Sequence, residues 1–318
     1  MATVSTAWSR SMGLAVPIVN APMGGVAGGA LAAAVSRAGG LGMVGMGSAG
    51  SPAQLTAELR PLTTLGRPFG IGLVDWVVAR EPQLLTVALD AQPALLAVSF
   101  GDNSSWVERA HDRGVVTAAQ VGDLRAADRA VQAGIDVLIA RGAEAGGHGE
   151  PRVGTLPLLA AILDDVAVPV LAAGGICSGR ALAAVLAAGA AGAWIGTALT
   201  ACAEASTSAQ VRQALFQATD TDTVTTRVFD IAQGYPWPPH LPERVLRNDF
   251  VDRWEERVSE LATDAASCPQ LAAAMAADDR RPTPVNAGQG VALLNDVRPA
   301  AAVIDQLCAD ARHLLDRW

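Results

Sequence analysis

His148 is the residue best placed for proton transfer. It lies in the run Gly142-Ala143-Glu144-Ala145-Gly146-Gly147-His148-Gly149-Glu150, directly after an apolar segment at 136–141. An imidazole titrates near neutral pH, so a histidine in a glycine-rich loop at a strand end suits general-base work. The plainer reading is a loop hydrogen-bonder. His111 and His313 fall in helical stretches and His240 in a proline-rich one, which makes them weaker candidates. No carboxylate stands at ligand spacing from His148 in the sequence, so no metal site is expected.

Three glycine turns accompany it. Pro22-Met23-Gly24-Gly25 follows the first apolar run. Its glycines let a backbone approach a flat ligand closely, and a tight turn would use them equally well. Ala173-Gly174-Gly175-Ile176 and Gly196-Thr197 follow the last two runs. Backbone N–H groups at such turns, with a helix start behind them, suit a phosphate. Cys177 is adjacent and nucleophilic in type, but no histidine neighbours it in the sequence, so it reads as small filler. A phosphate at the last two runs, a flat group near the first and an acid/base histidine above describe bound flavin mononucleotide, FMN.

These residues need a scaffold that brings strand ends together. Apolar runs at 16–20, 42–46, 69–74, 95–100, 115–119, 136–141, 169–173 and 193–197 read as strands. They are apolar on both faces, as a parallel sheet covered by helices requires. Helical stretches separate them, at 28–38, from Ser51-Pro52 onward, at 123–133 and at 178–188. Eight strands with short connections predict an α/β fold, a (β/α)8 TIM barrel, with its site at the C-terminal strand ends. No G-x-G-x-x-G opens a helix with an acidic residue about 20 positions on, which disfavours a doubly wound dinucleotide fold. Residues 219–242 are polar and proline-rich, 248–262 and 271–277 read as short helices, and 299–318 as a closing helix. The expected division is an FMN-binding barrel at 1–218, completed by 287–318. Residues 219–286 form a smaller helical cap over the substrate, with Tyr235 and Trp237 as wall candidates.

Composition removes other classes. With 51% hydrophobic and 17% charged residues among 318, the chain buries a large core and is neither disordered nor fibrous. A net charge of −8 argues against general nucleic-acid binding. Every basic residue is arginine, and the missing lysine excludes Schiff-base aldolases, pyridoxal-phosphate enzymes and P-loop NTPases. Cys177, Cys202, Cys268 and Cys308 form no C-x-x-C, so no zinc site, iron–sulfur site or disulfide framework is readable, as in a reducing cytoplasm. The start, MATVSTAWSRSMG, lacks a basic-then-apolar leader. The uncharged stretch 181–203 is broken by Gly189, Gly192 and Gly196 and reads as helix then strand, not as a membrane span. The expectation is a cytoplasmic protein without nucleic-acid or membrane partners.

The segments NAPMGGVAGGALAAAVSRAGGLGMVG, EAGGHGE, LAAGGICSGR, GAWIGT and DTVTTRVFD resemble the nitronate monooxygenases, formerly called 2-nitropropane dioxygenases. The resemblance runs from about Pro17 to the last helix. It implies a TIM barrel with a helical cap, non-covalent FMN, and oxidation of alkyl nitronates, or nitroalkanes, by O2 to carbonyl compounds and nitrite. Carried over by position, it implies that His148 is catalytic and that Pro22, Met23 and Gly24 line the isoalloxazine. Gly146 and Gly175 would meet the cofactor's chain and phosphate, and Trp194, Ile195, Gly196 and Thr197 would grip the phosphate. It leaves the oligomeric state open.

The sequence departs from the family's pattern at three positions. Gly72 stands where an asparagine usually contacts the flavin, Arg141 replaces a glutamine, and Ala198 replaces an arginine. With no lysine available, Arg141 is the expected positive charge near flavin N1 and the C2 carbonyl, where charge collects on reduction. A phosphate, Glu144 or Glu150 would be its other partners. Two further readings keep the barrel: an FMN-dependent NAD(P)H oxidoreductase acting on quinones or enoyl thioesters, and a non-catalytic flavin or phosphate-ligand binder.

Overall fold

The computed structural model describes residues 4–317. Residues 1–3, at the start of the segment searched for a leader, and Trp318, the end of the expected closing helix, lie outside them.

Eight parallel strands form one sheet: β1 (Ile18–Asn20), β2 (Gly42–Gly45), β3 (Phe69–Val74), β4 (Leu95–Ser99), β5 (Val116–Val121), β6 (Val137–Arg141), then, after a two-residue strand β7 (Gly147–His148), β8 (Val170–Ala173) and β9 (Gly192–Ile195). The order β1-β9-β8-β6-β5-β4-β3-β2 closes on itself through a parallel bridge between Val19 and Leu41. Each anticipated run is a strand. Two-sided burial explains this, because residues on one face enter the lumen and those on the other meet the helices.

The lumen is packed by Val19, Leu41, Met43, Leu95, Ile139, Leu171 and Trp194, with Trp8 and Leu14 in the same cluster. Gly70 faces this layer because Met43 and the Leu95 carbonyl already occupy the space a Cβ would need. The seam between β1 and β2 has little ladder. Buried Asn20 substitutes for it, taking the Met43 N–H at 2.7 Å on Oδ1 and donating from Nδ2 to the Met43 carbonyl at 2.9 Å.

Side-chain caps start the outer helices: Ser51 for Pro52–Leu59, Asp123 for Leu124–Gln132 and Ser178 for Gly179–Ala187. The stretch 181–203 is the end of that last helix, then β9 and a short helix, Thr197–Thr200. No helix among the described residues is long and apolar enough to cross a membrane.

The segment 219–286, expected as a polar, proline-rich stretch followed by short helices, also contains strands. It carries β10 (Thr223–Thr226) and β11 (Glu243–Leu246), antiparallel to each other, and β11 pairs in turn with β7 of the His148 loop. Its strands are short and pair with distant partners, so no local period announces them. The helical stretch 248–262 is two helices, Asp249–Trp254 and Val258–Leu261, whose Phe250, Val251, Trp254 and Leu261 share one apolar cluster with Phe229. Helix Ala300–Leu315 then packs on Gly179–Ala187 and returns the chain to the barrel.

Candidate active site at the mouth of the barrel

His148 projects from β7, opposite Glu243 in the β7–β11 register. Its Nε2 lies 3.0 Å from both Oδ1 and Oδ2 of Asp230, and its ring stacks on Trp237 with centroids 3.5 Å apart and planes 6° from parallel. Ligand atoms of His148, Asp230 and Glu243 lie within 4.8 Å of one another. No carboxylate stands at ligand spacing from His148 in the sequence, yet the fold brings two beside it. Both acids come from the segment 219–286. Burial, with the Asp230 charge second, pushes the Glu243 carboxyl well above its ordinary range. Local patterning missed both residues, although Asp230 sits in the motif DTVTTRVFD.

Arg141 ends β6 and is buried. Its Nη2 donates to the carbonyls of Ala145 (3.2 Å), Gly146 (3.2 Å) and Gly147 (2.7 Å), so the guanidinium clamps the loop that carries His148. Glu144 and Glu150, its expected alternatives, form no ion pair with it. Glu144 accepts from the Thr155 N–H and hydroxyl at 2.8 and 2.7 Å, and Glu150 lies by Arg152 and His240. Burial first, and Arg244 second, pull Arg141 down to about 10. Arg141, Phe100, Trp106, Gln120 and His240 line a cavity of about 290 Å³ at the ends of β4 and β5.

Gly72 has a packing explanation. A Cβ there would collide with the Pro22 ring, so the asparagine expected of the family does not fit beside this Pro22. Gly24 serves a similar purpose, since its Cβ would fall 2.5 Å from the Gly47 backbone. Met23 Sδ receives the Thr200 hydroxyl at 3.3 Å. The Pro22–Met23–Gly24 turn is thus a packed ledge between β1 and β3.

Across the mouth, Gly174 and Gly175 are left-handed, with φ of +118° and +68°. Among the described residues, no acceptor takes the N–H groups of Gly175, Ile176, Gly196 or Thr197. Those orphan donors, at the ends of β8 and β9, are what a phosphate requires, and the nearby Glu144 carboxylate is committed to Thr155. The side chains of Trp194 and Ile195 are placed elsewhere: Trp194 fills the lumen and Ile195 the helix layer. Ala198 is buried.

A strap missed by sequence reasoning completes this side. Gly288 N–H donates to Thr197 Oγ1 at 2.9 Å and Gln289 N–H to the Glu144 carbonyl at 2.9 Å. Gly146 is a glycine because a Cβ would come 2.7 Å from the Ala287–Gly288 backbone. The run NAGQG was the available signal. Cys177 lies under the strap, and burial pushes its thiol up to about 12, so it is no thiolate nucleophile at neutral pH.

A family model described as nitronate monooxygenase matches residues 6–82 and 72–310. The nitronate monooxygenase of Pseudomonas aeruginosa is 31% identical, with 96% of this chain and 99% of that one covered. Among solved structures, FabK from Thermotoga maritima superposes with a TM-score of 0.87 at 27% identity, covering 99% of this chain and 98% of that one. The nitroalkane oxidase of Streptomyces ansochromogenes does so with a TM-score of 0.82 at 31% identity, over 96% and 99% of the two chains.

Proposed function

The chain belongs to the nitronate monooxygenase family, and from that membership we propose that it oxidises alkyl nitronates with O2 to carbonyl compounds and nitrite, using non-covalent FMN. It is a flavin-dependent oxidoreductase. When bound, the flavin supplies the electron acceptor and the path to O2, while the protein binds, orients and handles protons.

The N–H groups of Gly175, Ile176, Gly196 and Thr197 would hold the phosphate. The Pro22–Met23–Gly24 ledge, with Gly72 beneath it, would border the ring. His148 removes the α-proton of a neutral nitroalkane and, once protonated, donates to the nitro oxygens. Its location at the same mouth as the orphan phosphate donors is the observation that carries this reading.

The test is anaerobic mixing of the yellow protein with a nitronate, followed in air by nitrite release. Bleaching or reddening of the flavin and nitrite production are expected. No spectral response to any nitronate, with rapid reduction by NADH or NADPH instead, would replace the proposal by a reductase of quinones or enoyl thioesters.

A further inference from the structure

We infer that Asp230 is a positioning residue that holds His148 by Nε2, leaving Nδ1 as the atom that exchanges a proton with substrate. The inference rests on the reading of His148 as the group that handles the substrate's proton.

Two independent restraints act on the ring. The Trp237 stack fixes its plane, with centroids 3.5 Å apart and a 6° interplanar angle. A half-turn about Cβ–Cγ would preserve the stack while exchanging Nδ1 with Cδ2 and Nε2 with Cε1, so stacking alone does not fix which edge of the ring each nitrogen occupies. Asp230 removes the ambiguity, because both its oxygens lie 3.0 Å from Nε2. A carboxylate only accepts, so Nε2 carries the proton and Nδ1 presents a lone pair. Among the described residues Nδ1 has no hydrogen-bond partner, and the side chain is 13% exposed.

Asp230 is itself held firmly. It lies in helix Val228–Gln233, is 4% exposed, and its carbonyl takes the Tyr235 N–H at 3.0 Å. Glu243, across the β7–β11 pair from His148, is equally buried, and burial, with Asp230 second, raises its carboxyl well above the ordinary range, so the hydrogen-bonded partner of the ring is Asp230. In the step this arrangement serves, the α C–H bond of a nitroalkane breaks. The proton goes to Nδ1 and the electron pair stays on the substrate as nitronate. The imidazolium so formed faces Asp230, which stabilises it.

The experiment uses the full chain with its flavin, labelled with 15N-histidine, with His148→Asn to assign the signals. Wild type is expected to show a protonated Nε2 and an unprotonated Nδ1 at His148. A protonated Nδ1 with an unprotonated Nε2 would overturn the inference, and this reading needs no Asp230 variant to fold. Asp230→Asn should lower turnover of a neutral nitroalkane far more than that of the preformed nitronate, shifting their ratio by up to ~10²–10⁴-fold, the range of general-base catalysis. An equal loss with both substrates would make Asp230 merely structural and overturn the inference. If wild type turns over no nitro compound, the proposed function falls, while the tautomer still decides whether Asp230 orients His148.

Discussion

Arg141 is a buried cation satisfied by neutral acceptors, which makes it a structural element of the loop that carries His148. Removing a charged donor from buried carbonyls costs about 1–3 kcal/mol. Arg141→Gln should therefore lower Tm by several degrees, at roughly 2–4 °C per kcal/mol for a chain somewhat shorter than this one. Thermal melts of the flavin-loaded protein check this, and a flavin potential measured on the same sample shows whether the charge also reaches the ring. An unchanged Tm would mean that the three carbonyl contacts contribute nothing. Glu243 gives a prediction in pH. Its folded-state value is raised, so the stability it contributes is full below its ordinary 4.5 and is lost as pH rises through the elevated value. Glu243→Gln cannot ionise, so its Tm should fall less than that of wild type between acid and alkaline pH. Parallel curves would show that Glu243 is not held neutral.

At the scale of elements, the site is built where strand ends meet loops that pack on each other without side chains. The strap and the His148 loop approach so closely that Gly146 and Gly288 leave no room for a Cβ. The proposed phosphate cradle offers a cleaner experiment. Gly175 is left-handed, so substitution there strains the backbone whatever binds. Gly196 has φ −100°, and a Cβ would meet nothing nearer than Ala21 and Met23 at 3.6 Å. Gly196→Val should accordingly fold with little change in the apoprotein's Tm, yet bind FMN weakly and purify colourless. Full flavin occupancy in a folded Gly196→Val protein would place the phosphate elsewhere.

For the whole molecule, the question is what docks the segment 219–286 on the barrel. Trp237 spans the two. Its Nε1 donates to Ser48 Oγ at 3.0 Å, its edge meets Phe100 and Trp76, and its face covers His148. Truncation of a buried tryptophan costs about 3–5 kcal/mol. Trp237→Ala should show that loss in chemical denaturation together with reduced turnover, since the plane of His148 is no longer set. Loss of stability with unaltered kinetics would limit Trp237 to packing.

Much of this was legible in the residues themselves. The strand positions follow from runs apolar on both faces, and the turns of Gly174, Gly175 and Gly196 follow from glycine at strand ends, because both signals are local to the chain. His148 was identifiable as a candidate base for the same reason. The packing of Gly72 under Pro22 was not, nor was the seam held by Asn20, nor the β10–β11–β7 sheet. Least legible was the Asp230–His148 pair, whose members are 82 residues apart. Sequence by itself determined the barrel, the family and the candidate base, since periodicity and motif need only near neighbours. Only the tertiary structure decided which nitrogen of His148 is held and what Arg141 touches, because a side chain's partners are set by where distant segments cross.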